Sequence, residues 1–193
     1  MTGKISVLCI SLLAFLATTT FATPALQIGH QCAGSVIRVF DADTLLFRCN
    51  TGKTALVRLA GIDAPESTKT TKLCWQQPFG DAATTYARQR FLYKKFTLKI
   101  TDLDKYNRWV GLLFDNKNHT ANAWLIEQGL AHVYRHYDHP VFWETLEQQA
   151  QKQNKGLWHN PKACIIDPHI WRHTSENKRC AQEIIFKQMR CQF

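Results

Sequence analysis

Three short stretches of this 193-residue chain set carboxylates and guanidinium groups among apolar residues. The first is Val39-Phe40-Asp41-Ala42-Asp43-Thr44, the second runs from Val57-Arg58-Leu59 through Gly61-Ile62-Asp63-Ala64-Pro65-Glu66, and the third is Asp102-Leu103-Asp104-Lys105-Tyr106-Asn107-Arg108-Trp109. The chemistry these groups could perform is hydrolysis of a phosphate ester. That reaction needs a cation on the phosphate, a positioned water, an acceptor for its proton, and positive charge where negative charge grows. Asp43 and Asp63 offer hard carboxylate oxygens for a divalent ion. Glu66 lies three residues beyond Asp63 and could orient water, while Arg58 and Arg108 carry the forked donors that match phosphate.

Each piece also has a plain structural reading. Asp41-Ala42-Asp43 suits a hairpin turn, where Asp bonds to nearby backbone. Arg58 suits the solvent face of an amphipathic strand, and the run from Asp104 to Arg108 suits a solvated loop. A rival chemistry rests on His132, His136 and His139, spaced as zinc ligands on a helix would be, but Gly129 and Pro140 bracket a segment too short for that helix.

Strands and helices must hold these groups. Ser35 to Phe40 and Thr44 to Cys49 read as a hairpin around the Asp-Ala-Asp turn. In Thr54 to Gly61, Ala55, Val57 and Leu59 alternate with Leu56, Arg58 and Ala60, the period of a third strand. Phe96, Leu98 and Ile100 mark a fourth, and Trp109 to Phe114 a fifth. Helical spacing appears in Phe79 to Tyr93, in Asn122 to Gln128 before Gly129, and in Val141 to Lys155 before Gly156. The fold class is therefore α+β and dominated by a small closed five-stranded barrel with three helices.

The first 22 residues differ from the rest. Lys4 is their only charge, Ile5 to Ala17 is an apolar run, and Thr20-Phe21-Ala22 ends in a small residue. This is the pattern of a secretory signal peptide cleaved after Ala22, and the run falls short of the ~20 apolar residues of a membrane span. The expected organisation is a leader at 1–22, one domain at 23–173, and an appendage at 174–193 that is weakly amphipathic from Ser175 to Arg190. With Lys4 gone, 23 basic residues stand against 15 acidic ones, a net charge of +8. Such a protein is drawn to polyanions. Cleavage also removes Cys9 and leaves an even set, Cys32, Cys49, Cys74, Cys164, Cys180 and Cys191, with no C-x-x-C pair. In an exported chain these are expected as disulfides. Cys32 and Cys49 flank one hairpin, Cys74 and Cys164 could tie the catalytic loop to the region past the third helix, and Cys180 with Cys191 would close the tail.

The second segment closely resembles the R-L-x-G-I-D-A-P-E signature of the staphylococcal nuclease family. The first is similar to that family's D-G-D-T turn and the third to its D-K-Y-G-R loop. The resemblance continues in Asn122 to Ala131 and in Lys155-Gly156-Leu157-Trp158, and so spans about Ser35 to Trp158. Beyond it, Pro168-His169-Ile170-Trp171-Arg172 is similar to a P-x-x-W-R of bacterial members. The resemblance implies an oligonucleotide/oligosaccharide-binding (OB) barrel and hydrolysis of DNA and RNA with one calcium ion, leaving 3′-phosphate ends. It implies Asp43, Asp63 and the main-chain carbonyl of Ala64 as metal ligands and Glu66 as the residue that handles water. Arg58 and Arg108 match the phosphate clamp, and Lys105 and Tyr106 match groups that contact the bound nucleotide. Ala42 and Asn107 stand where the family has glycine, which puts backbone strain in question at both.

The sequence thus leads to an exported, periplasmic or secreted monomer that cuts single-stranded or frayed DNA and RNA with little base preference and leaves the membrane once its leader is cleaved. The rival is an envelope OB-fold module that binds nucleic acid or protein without cutting. Such a module has no need of the full set Arg58, Asp63, Glu66 and Arg108.

Overall fold

The computed structural model describes residues 26–69, 72–160 and 162–191; the leader expected at 1–22 lies outside them. Strands β1 (Gln31–Asp41), β2 (Thr44–Cys49), β3 (Thr54–Leu59), β5 (Lys95–Leu103) and β6 (Trp109–Phe114) close into a barrel in the order β1-β2-β3-β6-β5. All pairs are antiparallel except β3 with β6, which run parallel. Two-residue strands β4 (Ile62–Asp63) and β7 (His132–Val133) pair beside it. The expected alternation holds: Ala55, Val57 and Leu59 are buried, as are Phe96, Leu98 and Ile100. Register shifts in β1 and β5 bend those long strands, which closing so small a barrel requires. Gly111 permits one close approach, because a Cβ there would meet the Lys99 carbonyl at 2.6 Å.

The three expected helices form as α1 (Gly80–Phe91), α2 (Ala121–Glu127) and α3 (Phe142–Lys152). From α2, the fully buried Asn122 donates to the carbonyls of Ala60 (2.8 Å) and Gly111 (3.3 Å) and accepts from the Leu113 N–H at 3.2 Å. One side chain thus sutures the ends of β3 and β6, the strands nearest Arg58 and Arg108. From α3, Glu147 accepts from the Val133 N–H at 2.9 Å and fixes β7, and through it β4.

Two further helices follow, α4 (Pro168–His173) and α5 (Glu176–Gln188). Asp167 caps α4 by accepting from the backbone of His169 and Ile170, and Pro168 begins it. Cys164, Trp171, Phe186 and Cys191 form a second small core that spans both helices. The Cys32–Cys49 disulfide joins β1 to β2 as expected. The other two differ from expectation: Cys74 pairs with Cys180, and Cys164 with Cys191. The reason is the path of the tail. α5 turns back toward the loop before α1, so Cys180 reaches Cys74 while the end of the chain returns to Cys164.

Candidate active site

The turn between β1 and β2 presents Asp43, and β4 ends on Asp63, with Ala64 just beyond it. Ala42 is buried and is not among the positive-φ residues, so the turn adopts no backbone that would need glycine there. Asn107, by contrast, takes φ 59°, which Asn tolerates better than most residues. Asp43 and Asp63 are 3% and 1% exposed. Two carboxylates this deep need cations beside them, and Arg58 supplies one to both. Its Nη1 lies 2.9 Å from Asp43 Oδ2 and its Nη2 2.6 Å from Asp63 Oδ1. The Ala64 N–H donates to Asp43 Oδ2 at 2.8 Å and Thr44 donates to Oδ1 at 2.9 Å. Burial alone would raise the Asp43 carboxyl, but Arg58, Ala64 and Thr44 together hold it below its ordinary value. Asp41 stands apart, bound by Lys69 at 2.6 Å and by Ser67.

Glu66 is fixed from both ends of its carboxylate. Trp75 Nε1 donates to Oε2 at 2.7 Å and Arg172 Nη1 to Oε1 at 3.0 Å. Gln77, itself buried, accepts from the Glu66 N–H at 3.0 Å and donates its own N–H to the Glu66 carbonyl at 2.9 Å. Burial, then the charges of Asp43 and Asp41, push the Glu66 carboxyl above its usual value against the pull of Arg172. A raised carboxyl accepts a proton more readily than an ordinary one.

Arg58 thus joins Asp43 and Asp63 directly, and Glu66 is bridged to Asp63 by Arg172. Lys105, Tyr106 and Arg108 form a second group on the β5–β6 connection. Arg108 is held by Asp104 through Nε at 2.8 Å and Nη2 at 2.7 Å. Tyr106 is 68% exposed, with Lys105 Nζ 5.2 Å from its ring centre. The two groups are linked through the sheet: Arg58 pairs with Val110 near the start of β6, two residues beyond Arg108 on the connection. Of the histidines, His132 lies in β7, His139 bonds to Glu144 at 3.1 Å, and His136 stacks near Tyr134 and His169.

The oxygen set fits a hard divalent ion. Among the described residues no three His, Cys, Asp or Glu side chains form a metal cage. Two carboxylates with a main-chain carbonyl and water still make an ordinary calcium environment. The Arg172 fork, lying on both oxygens of Asp63 at 2.9 and 2.8 Å, shows that this edge accepts a positive group.

Trp75 and Arg172 enter the site without any mark in the sequence that assigns them there. The P-x-x-W-R string flags Arg172, yet it lies 109 residues from Asp63, and only the fold brings them together.

The family model described as staphylococcal nuclease homologue matches residues 56–160. The chain is 32% identical over 158 residues to a micrococcal nuclease of Shigella flexneri, covering 75% of this chain and 82% of that protein. It is 29% identical over 145 residues to a thermonuclease of Staphylococcus hyicus, covering 72% and 83%. It is 30% identical over 140 residues to an uncharacterized endonuclease of Escherichia coli O157:H7, covering 72% and 84%.

Proposed function

The chain belongs to the staphylococcal nuclease family and is a phosphodiester-hydrolysing nuclease, and from that premise we propose that it is an exported, calcium-dependent endonuclease for DNA and RNA that leaves 3′-phosphate ends. The observation that carries this reading is the convergence of the buried Asp43 and Asp63 on Arg58, with Glu66 pinned beside them.

Asp43, Asp63 and the Ala64 carbonyl would hold the ion. When bound, it supplies positive charge to the scissile phosphate. Glu66 aligns a water with phosphorus and takes its proton. The new bond joins the water oxygen to phosphorus. The P–O5′ bond breaks, the 5′-oxygen leaves and is protonated, and the phosphate stays on the 3′ side. Arg58 and Arg108 offer forked donors to the crowded phosphate as its charge grows. Lys105 and Tyr106, exposed on their loop, contact the nucleotide. These groups address phosphate and sugar, so little base preference follows. A single strand or frayed end suits a site reached across one face of a small barrel, and a monomer suffices because one chain carries every group.

Export is supported by the apolar leader and by six cysteines in three disulfides. No helix among the described residues is long and apolar enough to cross a membrane. A zymogram with added calcium or chelator, followed by end-group analysis of the products, tests the reading. Clearing with calcium, none with chelator, and 3′-phosphate products are expected. Undiminished activity after exhaustive chelation contradicts the metal assignment.

A further inference from the structure

Arg172 comes from α4, outside the residues matched by the family model, yet it contacts two carboxylates of the site. Its Nη1 lies 2.9 Å from Asp63 Oδ1 and 3.0 Å from Glu66 Oε1, and its Nη2 lies 2.8 Å from Asp63 Oδ2. One guanidinium therefore spans a candidate metal ligand and the candidate water-handling carboxylate. Its own side chain is 23% exposed, so it reaches the cluster from the rim.

The placement is built into the fold and does not depend on the ion pair alone. The neighbouring Trp171 is 1% exposed, and its Nε1 donates to the Trp75 carbonyl at 2.6 Å. Trp75 in turn donates to Glu66. Gln77, which holds the Glu66 backbone, also donates to the Ile166 carbonyl at 2.9 Å. Cys74–Cys180 and Cys164–Cys191 bracket this segment covalently. The tail and the Glu66 loop are thus one unit, and that unit presents Arg172 to the carboxylates.

We propose that Arg172 is a positioning residue of the active site: it orders Asp63 and Glu66, yields Asp63 when a divalent ion binds, and keeps its hold on Glu66. The reasoning rests on the metal-dependent reading above. Both oxygens of Asp63 are occupied by Arg172, with Arg58 also on Oδ1. Three donors already lie on this carboxylate, and an ion on the site left at Oδ2 would sit against the Arg172 charge on the same oxygen, so ligation favours release of a donor. Arg58 also neutralises Asp43, so its removal would strand a second buried charge. Arg172 has the exposed rim behind it and Glu66 to remain with. It is the donor that can yield.

The test is calorimetric titration of the purified protein with calcium alone, for the wild type, Arg172→Gln and Arg172→Lys, with turnover measured at saturating calcium. Arg172→Gln is expected to bind calcium on the order of tenfold tighter, the scale of one charged hydrogen bond. Its kcat is expected to fall roughly tenfold with KM little changed, because Glu66 loses a donor. A purely structural counter-ion would not lower kcat once calcium is saturating. Arg172→Lys keeps the charge but not the fork, so it should also bind calcium more tightly than wild type. It decides the matter if circular dichroism shows the Gln variant unfolded. Calcium affinity that is unchanged or weaker in the folded variants, or turnover that is unchanged, overturns the proposal. If calcium binds the wild type normally, that failure leaves the metal-dependent reading intact. If calcium binds none of the proteins, both fall.

Discussion

The Trp75 indole donates its Nε1–H to Glu66 Oε2 at 2.7 Å, so a residue nine positions further along fixes one oxygen of the candidate water-handling carboxylate. A loop carboxylate is mobile by default, and catalysis by alignment fails when the aligned group wanders. The indole has support of its own. Lys72 Nζ stands 3.6 Å from its ring centre and the Arg179 guanidinium 4.9 Å.

Trp75→Phe keeps a ring in that place and removes only the donor. A hydrogen bond to a charged group is worth about 1.5–3 kcal/mol. Steady-state kinetics are therefore expected to show kcat reduced roughly ten- to hundredfold with KM near the wild-type value. A change confined to KM would show that Trp75 serves binding instead.

Asn122→Ala tests the suture beneath the site. It leaves the Ala60 and Gly111 carbonyls and the Leu113 N–H without their side-chain partner in a fully buried place. Urea unfolding should show a loss of about 2–4 kcal/mol. Activity of the fraction still folded should fall as well, because β3 and β6 set the relation of Arg58 to Arg108.

His132 makes stability depend on pH. Burial, opposed by Glu147, lowers its pKa below the ordinary histidine value. The unfolded chain then binds a proton that the folded one resists. Its contribution is intact above the unfolded pKa of about 6.5 and is lost as pH falls from there toward the depressed folded value. Denaturation midpoints should therefore drop between about pH 7.5 and 5.5, and less so in His132→Phe, which retains a ring against Trp158. An equal drop in both proteins would place the effect elsewhere.

The disulfides admit a direct check. Non-reducing peptide mapping is expected to link Cys32 to Cys49, Cys74 to Cys180 and Cys164 to Cys191. The Cys74→Ser/Cys180→Ser protein should lose about 2–4 kcal/mol. It should also lose turnover, because α5, which follows the helix bearing Arg172, loses its tether to the loop before α1.

How much was legible in the sequence follows from the range of the contacts. Ala55, Val57 and Leu59 announce a strand because period two is local, and the β1–β2 hairpin brings Cys32, two residues before the register partner of Cys49, within reach of it in the same way. Asp43, Arg58, Asp63 and Glu66 lie within neighbouring motifs, and the pairing of β2 with β3 is enough to bring Asp43 to Arg58. The pairing of Cys74 with Cys180 depends on where α5 lands, which spacing does not encode. Arg172 shows the same limit. A tryptophan that buries itself at residue 171 positions the next residue against Asp63, and neither fact has a local signature.

Turnover of Glu66→Gln at saturating calcium and substrate decides whether Glu66 handles the attacking water. The substitution keeps the size of the side chain and one acceptor oxygen for Trp75 or Arg172 but removes the base. A fall of about 10²–10⁴ in kcat is expected, with nucleic-acid affinity little changed and the protein folded by circular dichroism. Near-wild-type turnover in the folded variant would contradict the account, since the water would then be handled elsewhere.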